Sequence, residues 1–136
     1  MNKIIDVQNL QVSFHTYAGE VQAVRNVSFF AEKGKTLAIV GESGCGKSVT
    51  SKAIMGLIAT PPGEIKNGSH IIYKGKDILK QSEKEWEEYR GASCSMIFQD
   101  ALTSLNPTMN VGKQIMENMI IFWEWKRETF GISCEL

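Results

Sequence analysis

Gly41-Glu42-Ser43-Gly44-Cys45-Gly46-Lys47-Ser48 lies between the apolar run Thr36-Leu37-Ala38-Ile39-Val40 and the stretch from Val49 to Ile58. The octet meets every fixed position of G-x-x-x-x-G-K-[ST]. Its flanks read as the strand and the helix between which such a loop must sit. Glycines let the backbone curl until successive N–H groups point at one spot. The helix that follows adds its positive N-terminal end. Lys47 can reach the β- and γ-phosphates of a nucleotide as a point charge, and Ser48 can ligate Mg²⁺. The stretch therefore predicts an α/β protein that holds a phosphate chain. The bland alternative, a glycine-rich turn that binds nothing, does not account for the strand and helix together.

Before the loop, the chain reads as β-structure. Ile4 to Val7 and Leu10 to Phe14 are short strand candidates, and Tyr17-Ala18-Gly19-Glu20 carries a turn. Val21 to Val24 and Val27 to Phe30 continue with β-branched and aromatic residues. Residues 36–40 are almost wholly apolar, as a strand buried on both faces would be. Beyond the loop, a helix is expected from Lys47 to about Ile58, ended by Thr60-Pro61-Pro62-Gly63. His70 to Tyr73 reads as a strand closed by Lys74-Gly75-Lys76. Ser82-Glu83-Lys84-Glu85 has the capping-box pattern and predicts a helix through Tyr89. Cys94-Ser95-Met96-Ile97-Phe98 reads as a second buried strand, ending at Gln99-Asp100 on the side where α/β sheets bind ligands. Asn110 is placed to cap a last helix with Ile115, Met116, Met119, Ile120 and Trp123 on one face.

Composition narrows the classes. The 136 residues allow at most one domain, and 43% hydrophobic residues is globular rather than disordered. Fifteen Lys and Arg balance fifteen Asp and Glu, so no basic footprint points to nucleic acid. There is no apolar run of about 18 residues to span a membrane, and Met1 to Asp6 has no signal-peptide core. Cys45, Cys94 and Cys134 are odd in number and lack metal spacing, which reads as reduced cytosolic thiols.

The octet, followed after about fifty residues by Met96-Ile97-Phe98-Gln99-Asp100, resembles the Walker A and Q-loop pair of the ATP-binding-cassette (ABC) ATPases, which are P-loop NTPases. Phe98-Gln99-Asp100-Ala101-Leu102-Thr103-Ser104-Leu105-Asn106-Pro107 is similar to the ATP-binding subunits of bacterial oligopeptide and dipeptide importers. So is the stretch from Phe14 to Val24. The resemblance covers residues 1–119, as the N-terminal part of a nucleotide-binding domain: an antiparallel β subdomain, Walker A, Q-loop and the start of a helical subdomain. It implies ATP and Mg²⁺ as ligands, with Gly41, Glu42, Ser43, Gly44, Cys45, Gly46, Lys47 and Ser48 around the phosphates and Val49 continuing the helix beneath them. It implies an aromatic stacked on adenine, for which Phe14 is the best match by spacing and Tyr17 the runner-up; either ring offers the flat π-face required. It implies that Gln99 touches Mg²⁺ or the attacking water, beside Lys47 as a catalytic group. Two departures stand out. Ala101 replaces a frequent proline. Cys45 fills a variable position of the loop, where its alkylation is expected to block nucleotide binding.

The same resemblance implies groups that these residues lack. There is no Leu-Ser-Gly-Gly-Gln signature and no apolar run ending in Asp-Glu, and His15 and His70 both precede Gln99, where neither can be the family's switch histidine. The fold is therefore expected to be incomplete at the C-terminus, with the central strands exposed as edges. Residues 120–136 match the family poorly and are expected to be an aberrant tail, from a frameshift or premature stop, or else a short variant's own aromatic cover. The leading reading is an incomplete ATP-binding subunit of a peptide importer, peripheral on the cytosolic face of the membrane. Its partners would be permease subunits and a second ATP-binding subunit. The alternative is a non-catalytic nucleotide-binding or regulatory fragment. An unrelated P-loop kinase or GTPase fits the Gln99 segment poorly.

Overall fold

The computed structural model describes residues 2–100 and 104–123. Ala101 and residues 124–136, with most of the expected tail and Cys134, lie outside them. The chain forms two compact units, Met1–Trp86 and Glu87–Leu136.

The first unit is built on a long hairpin. β1 (Lys3–Thr16) and β2 (Gly19–Glu32) pair antiparallel across the two-residue turn Tyr17-Ala18. Each strand joins two of the short runs read from sequence. The joins are Asn9 and Asn26, at φ 50° and 52°. Asparagine tolerates this left-handed conformation better than most residues. It lets the ladder shift register between Val7 and Leu10 and then resume. The Asn9 N–H, turned out of the ladder, donates to Ser28 Oγ at 2.8 Å.

The other edge of β1 is filled by two short strands. β3 (Gly63–Ile65) pairs with residues 12–14, and β4 (His70–Tyr73) pairs with residues 5–8. β5 (Lys76–Asp77) closes the sheet through Lys74 and Gly75, both at positive φ, as a two-residue type I′ turn requires. The strand order is β2-β1-β4-β5, and β1 is its centre. Val7, Leu10, Val12 and Ile71 are its fully buried side chains.

α1 (Lys47–Ile54) packs on β1 and β2 through Thr50 and Ala53. It is shorter than the sequence suggests. Gly56 at φ +63° ends it, with Leu57 N donating to Lys52 O (2.8 Å) and Gly56 N to Ala53 O (3.1 Å), a Schellman cap. A Cβ on Gly56 would also lie 2.7 Å from the Trp86 ring, so position and conformation both call for glycine.

The capping box forms as read. The Ser82 N–H donates to Glu85 Oε2 at 2.8 Å, and Ser82 Oγ accepts from the Glu85 N–H at 3.5 Å, at the start of α2 (Glu83–Glu88). A π-helical turn, Tyr89–Ser93, follows.

Two expectations are overturned. Neither residues 36–40 nor residues 94–98 form a strand. Their composition suits a strand covered on both faces, but a strand exists only when neighbours take its N–H and C=O groups. Neither run joins the sheet of the first unit. Both lack regular secondary structure, with Val40 at 87% and Ile97 at 96% exposure.

In the second unit, α3 (Val111–Trp123) starts where Asn110 predicts, with Gly112 N donating to Asn110 Oδ1 at 2.8 Å. Gln114 ties the preceding loop to this helix by bonding Asn106 N, Asn106 O and Met109 O. On the expected apolar stripe, Met116 and Met119 are half-buried, whereas Ile115 and Ile120 are exposed.

Candidate nucleotide site

Residues 41–48 form a loop leading into α1, and the local sequence accounts for its shape. Gly44 and Gly46 sit at φ 82° and 93°. Gly46 is the N-cap of α1, and its carbonyl takes the first helical bond from Thr50 N at 2.8 Å. Gly46 is also where the loop meets the sheet. A Cβ there would come within 2.5 Å of the Ala23 carbonyl oxygen on β2, so no side chain can intervene.

Lys47 folds back over this loop. Its ammonium donates to Gly41 O at 2.8 Å and Glu42 O at 2.6 Å, and lies 3.5 Å from Cys45 Sγ. Cys45 is exposed, and its N–H donates to Glu42 O at 3.4 Å. Glu42, Ser43 and Ser48 are exposed, and Val49 is half-buried.

A cavity of about 470 Å³ opens beside the loop, within the usual range for small-molecule sites. Gln22 and Arg25 of β2 and residues 44–47 of the loop give it polar groups; Val24, Val27, Phe29, Ile39 and Val40 give it apolar surface. The chemistry suits an anion with an organic body. Curled backbone, a flexible ammonium and a helix N-terminus accept phosphate, and the apolar residues accept apolar surface.

The sequence-predicted residues are only partly gathered. Residues 41–48 and Val49 stand together. Phe14 and Tyr17 lie in the same unit, but neither lines the cavity. Phe14 is half-buried, opposite Val21 and Gly63, close enough that a Cβ on Gly63 would lie 3.2 Å from its ring. Tyr17, at the hairpin turn, is fully exposed. Gln99 belongs to the second unit, exposed at the end of residues 94–98. Among the described residues no cluster of three or more His, Cys, Asp or Glu forms a metal site, and no helix is long and apolar enough to cross a membrane. Sequence reading missed the contribution of β2. Gln22, Ala23 and Arg25 have no motif, and only the folded strand brings them to the loop.

Comparison with known proteins places the chain in a family. The profile of the ABC transporter family matches residues 24–132. The oligopeptide transport ATP-binding protein of Bacillus subtilis is 59% identical over 117 residues, which is 86% of this chain and 32% of that protein. The dipeptide transport ATP-binding protein of Lactococcus lactis is 58% identical over 118 residues, 87% of this chain and 33% of that protein. A dipeptide transport ATP-binding protein of Bacillus subtilis is 56% identical over 120 residues, 88% of this chain and 36% of that protein. The chain thus spans about a third of the length of these curated relatives.

Proposed function

Because this chain belongs to the ABC transporter family, with its α/β P-loop NTPase fold class and N-terminal antiparallel β subdomain, we propose that it binds Mg·ATP as part of the ATP-binding subunit of a peptide importer. The observation that carries the reading is the loop itself. Gly46 is pressed against β2 with no room for a side chain, and the Lys47 ammonium is held over the curled backbone.

In this reading, residues 41–48 hold the phosphate chain. Lys47 exchanges its carbonyl partners for β- and γ-phosphate oxygens. Ser48, exposed in the first turn of α1, offers a hydroxyl to Mg²⁺. One hydroxyl suffices there, because Mg²⁺ keeps several waters and takes phosphate oxygens as its other ligands. For the adenine, exposure favours Tyr17 over Phe14, whose ring already packs over Gly63. Gln99 keeps the role that the resemblance implies, touching Mg²⁺ or the attacking water. Bound ATP supplies a phosphoryl group whose transfer to water drives transport in such subunits. The proposed partners are permease subunits and a second ATP-binding subunit, met on the cytosolic face of the membrane. The peptide assignment is supported by the three relatives named above, which are oligopeptide and dipeptide transport ATP-binding proteins.

A thermal-shift titration with Mg·ATP tests the binding. A ligand that binds only the folded state stabilises it by about 2.7 kcal/mol at one hundred times its Kd. The native chain should show the corresponding rise in Tm. Lys47→Ala should show none, and alkylation of Cys45 should abolish it likewise. An equal shift in Lys47→Ala, or no shift in a natively folded chain, would overturn the proposal.

A further inference from the structure

Arg25 has no place in the loop motif, yet it lines the same cavity as Lys47 and Gly46. It stands on β2 two residues beyond Ala23, which lines the cavity too. Ala23 is the residue whose carbonyl oxygen touches the loop at Gly46. Arg25 is exposed, and among the described residues it has no ion-pair partner. No carboxylate lines the cavity among the described residues either. Two cations thus share one cavity without a counter-charge, which focuses positive potential on its mouth. Lys47 is already engaged by the carbonyls of Gly41 and Glu42; Arg25 is not so engaged.

We infer that Arg25 is a second cation of the nucleotide site, contacting the phosphate chain from the sheet side while Lys47 contacts it from the loop. The inference rests on the nucleotide reading and deepens it by naming a residue that selects for charge. A guanidinium suits the task. It is always protonated, and its planar fork can bond two phosphate oxygens at once. Its effect should therefore grow with the number of phosphates and be absent for a neutral nucleoside.

The test is a fluorescence titration of the full chain with N-methylanthraniloyl ATP, ADP and adenosine, comparing native, Arg25→Gln, Arg25→Lys and Lys47→Ala. Arg25→Gln should bind the ATP probe about tenfold more weakly, the ADP probe less affected and the adenosine probe unchanged. Arg25→Lys should recover part of the loss, since it restores the charge without the fork. Tm without nucleotide should match the native chain, because Arg25 is exposed. Native ATP affinity in Arg25→Gln, alongside a loss in Lys47→Ala, would overturn the inference and leave nucleotide binding standing. An equal loss for adenosine would also overturn it, by assigning Arg25 to packing rather than charge. If the native chain binds none of the probes, the nucleotide reading itself fails and the inference goes with it.

Discussion

β1 and residues 36–40 are both rich in strand-forming apolar side chains, and the structure treats them in opposite ways. β1 has β2 along one edge and β3 and β4 along the other, and Leu10 at its centre is 0% exposed. Residues 36–40 join no ladder, and Val40 is 87% exposed. Composition alone does not separate them. A strand is a property of pairs, because each isolated N–H and C=O is better satisfied by water than by nothing. The loop that follows, residues 41–48, is different again. Its shape comes from glycine conformations and a few short bonds, so it forms beside an unpaired run.

The comparison is broken or sharpened most directly by truncating one side chain in each region. Leu10→Ala should destabilise the chain by about 2–5 kcal/mol, read as a lower urea midpoint. Val40→Ala should fall within about 0.5 kcal/mol of the native chain. Equal losses would mean that residues 36–40 are covered in solution, and the contrast would collapse.

A smaller effect tests the claim that the loop is shaped locally. Gly46→Ala forces a left-handed conformation on alanine, about 1–2 kcal/mol, and drives a Cβ toward Ala23 O. It should lower Tm modestly and abolish the Mg·ATP shift. A retained shift would mean that the loop does not need its seat on β2.

The smallest effect concerns a feature that is wholly local. Glu85 has its carboxyl pulled from 4.5 down to about 2, chiefly by the Lys76 ammonium and then by the Ser82 N–H and hydroxyl. A depressed carboxyl contributes stability that is fully present above pH about 4.5 and lost as pH falls through about 2. Lys76→Ala should raise the Glu85 pKa toward 4.5, followed by NMR titration of its side-chain carbonyl. An unmoved titration would assign the shift to the capping box alone.

What was legible in the sequence follows the same division. The loop leading into α1, the capping box at Ser82 and the cap at Asn110 formed as read, and the turn expected over Tyr17 to Glu20 formed at Tyr17-Ala18, because each is decided within about four residues. Gly56 carried a readable stop signal for α1 that the later Pro61-Pro62 pair obscured. The continuity of β1 and β2 was not legible. Asn9 and Asn26 look like breaks, and only the opposing strand shows them to be bulges. The failures at residues 36–40 and 94–98 share one cause, since periodicity reports what a segment would bury and not whether a neighbour is there. At the candidate site, the loop was legible, whereas Arg25 and Gln22 reach the cavity only through tertiary structure.

The self-held Lys47 has a consequence for selectivity. Its ammonium is satisfied by two neutral carbonyl oxygens of its own loop, so any incoming group must outcompete them. A neutral hydroxyl or carbonyl offers no advantage over the bonds it would displace. A phosphate oxygen does, because a bond between two charged partners is the stronger. On the proposed reading, the loop acts as a threshold detector, ignoring solutes that merely hydrogen-bond and answering to those that bring concentrated negative charge.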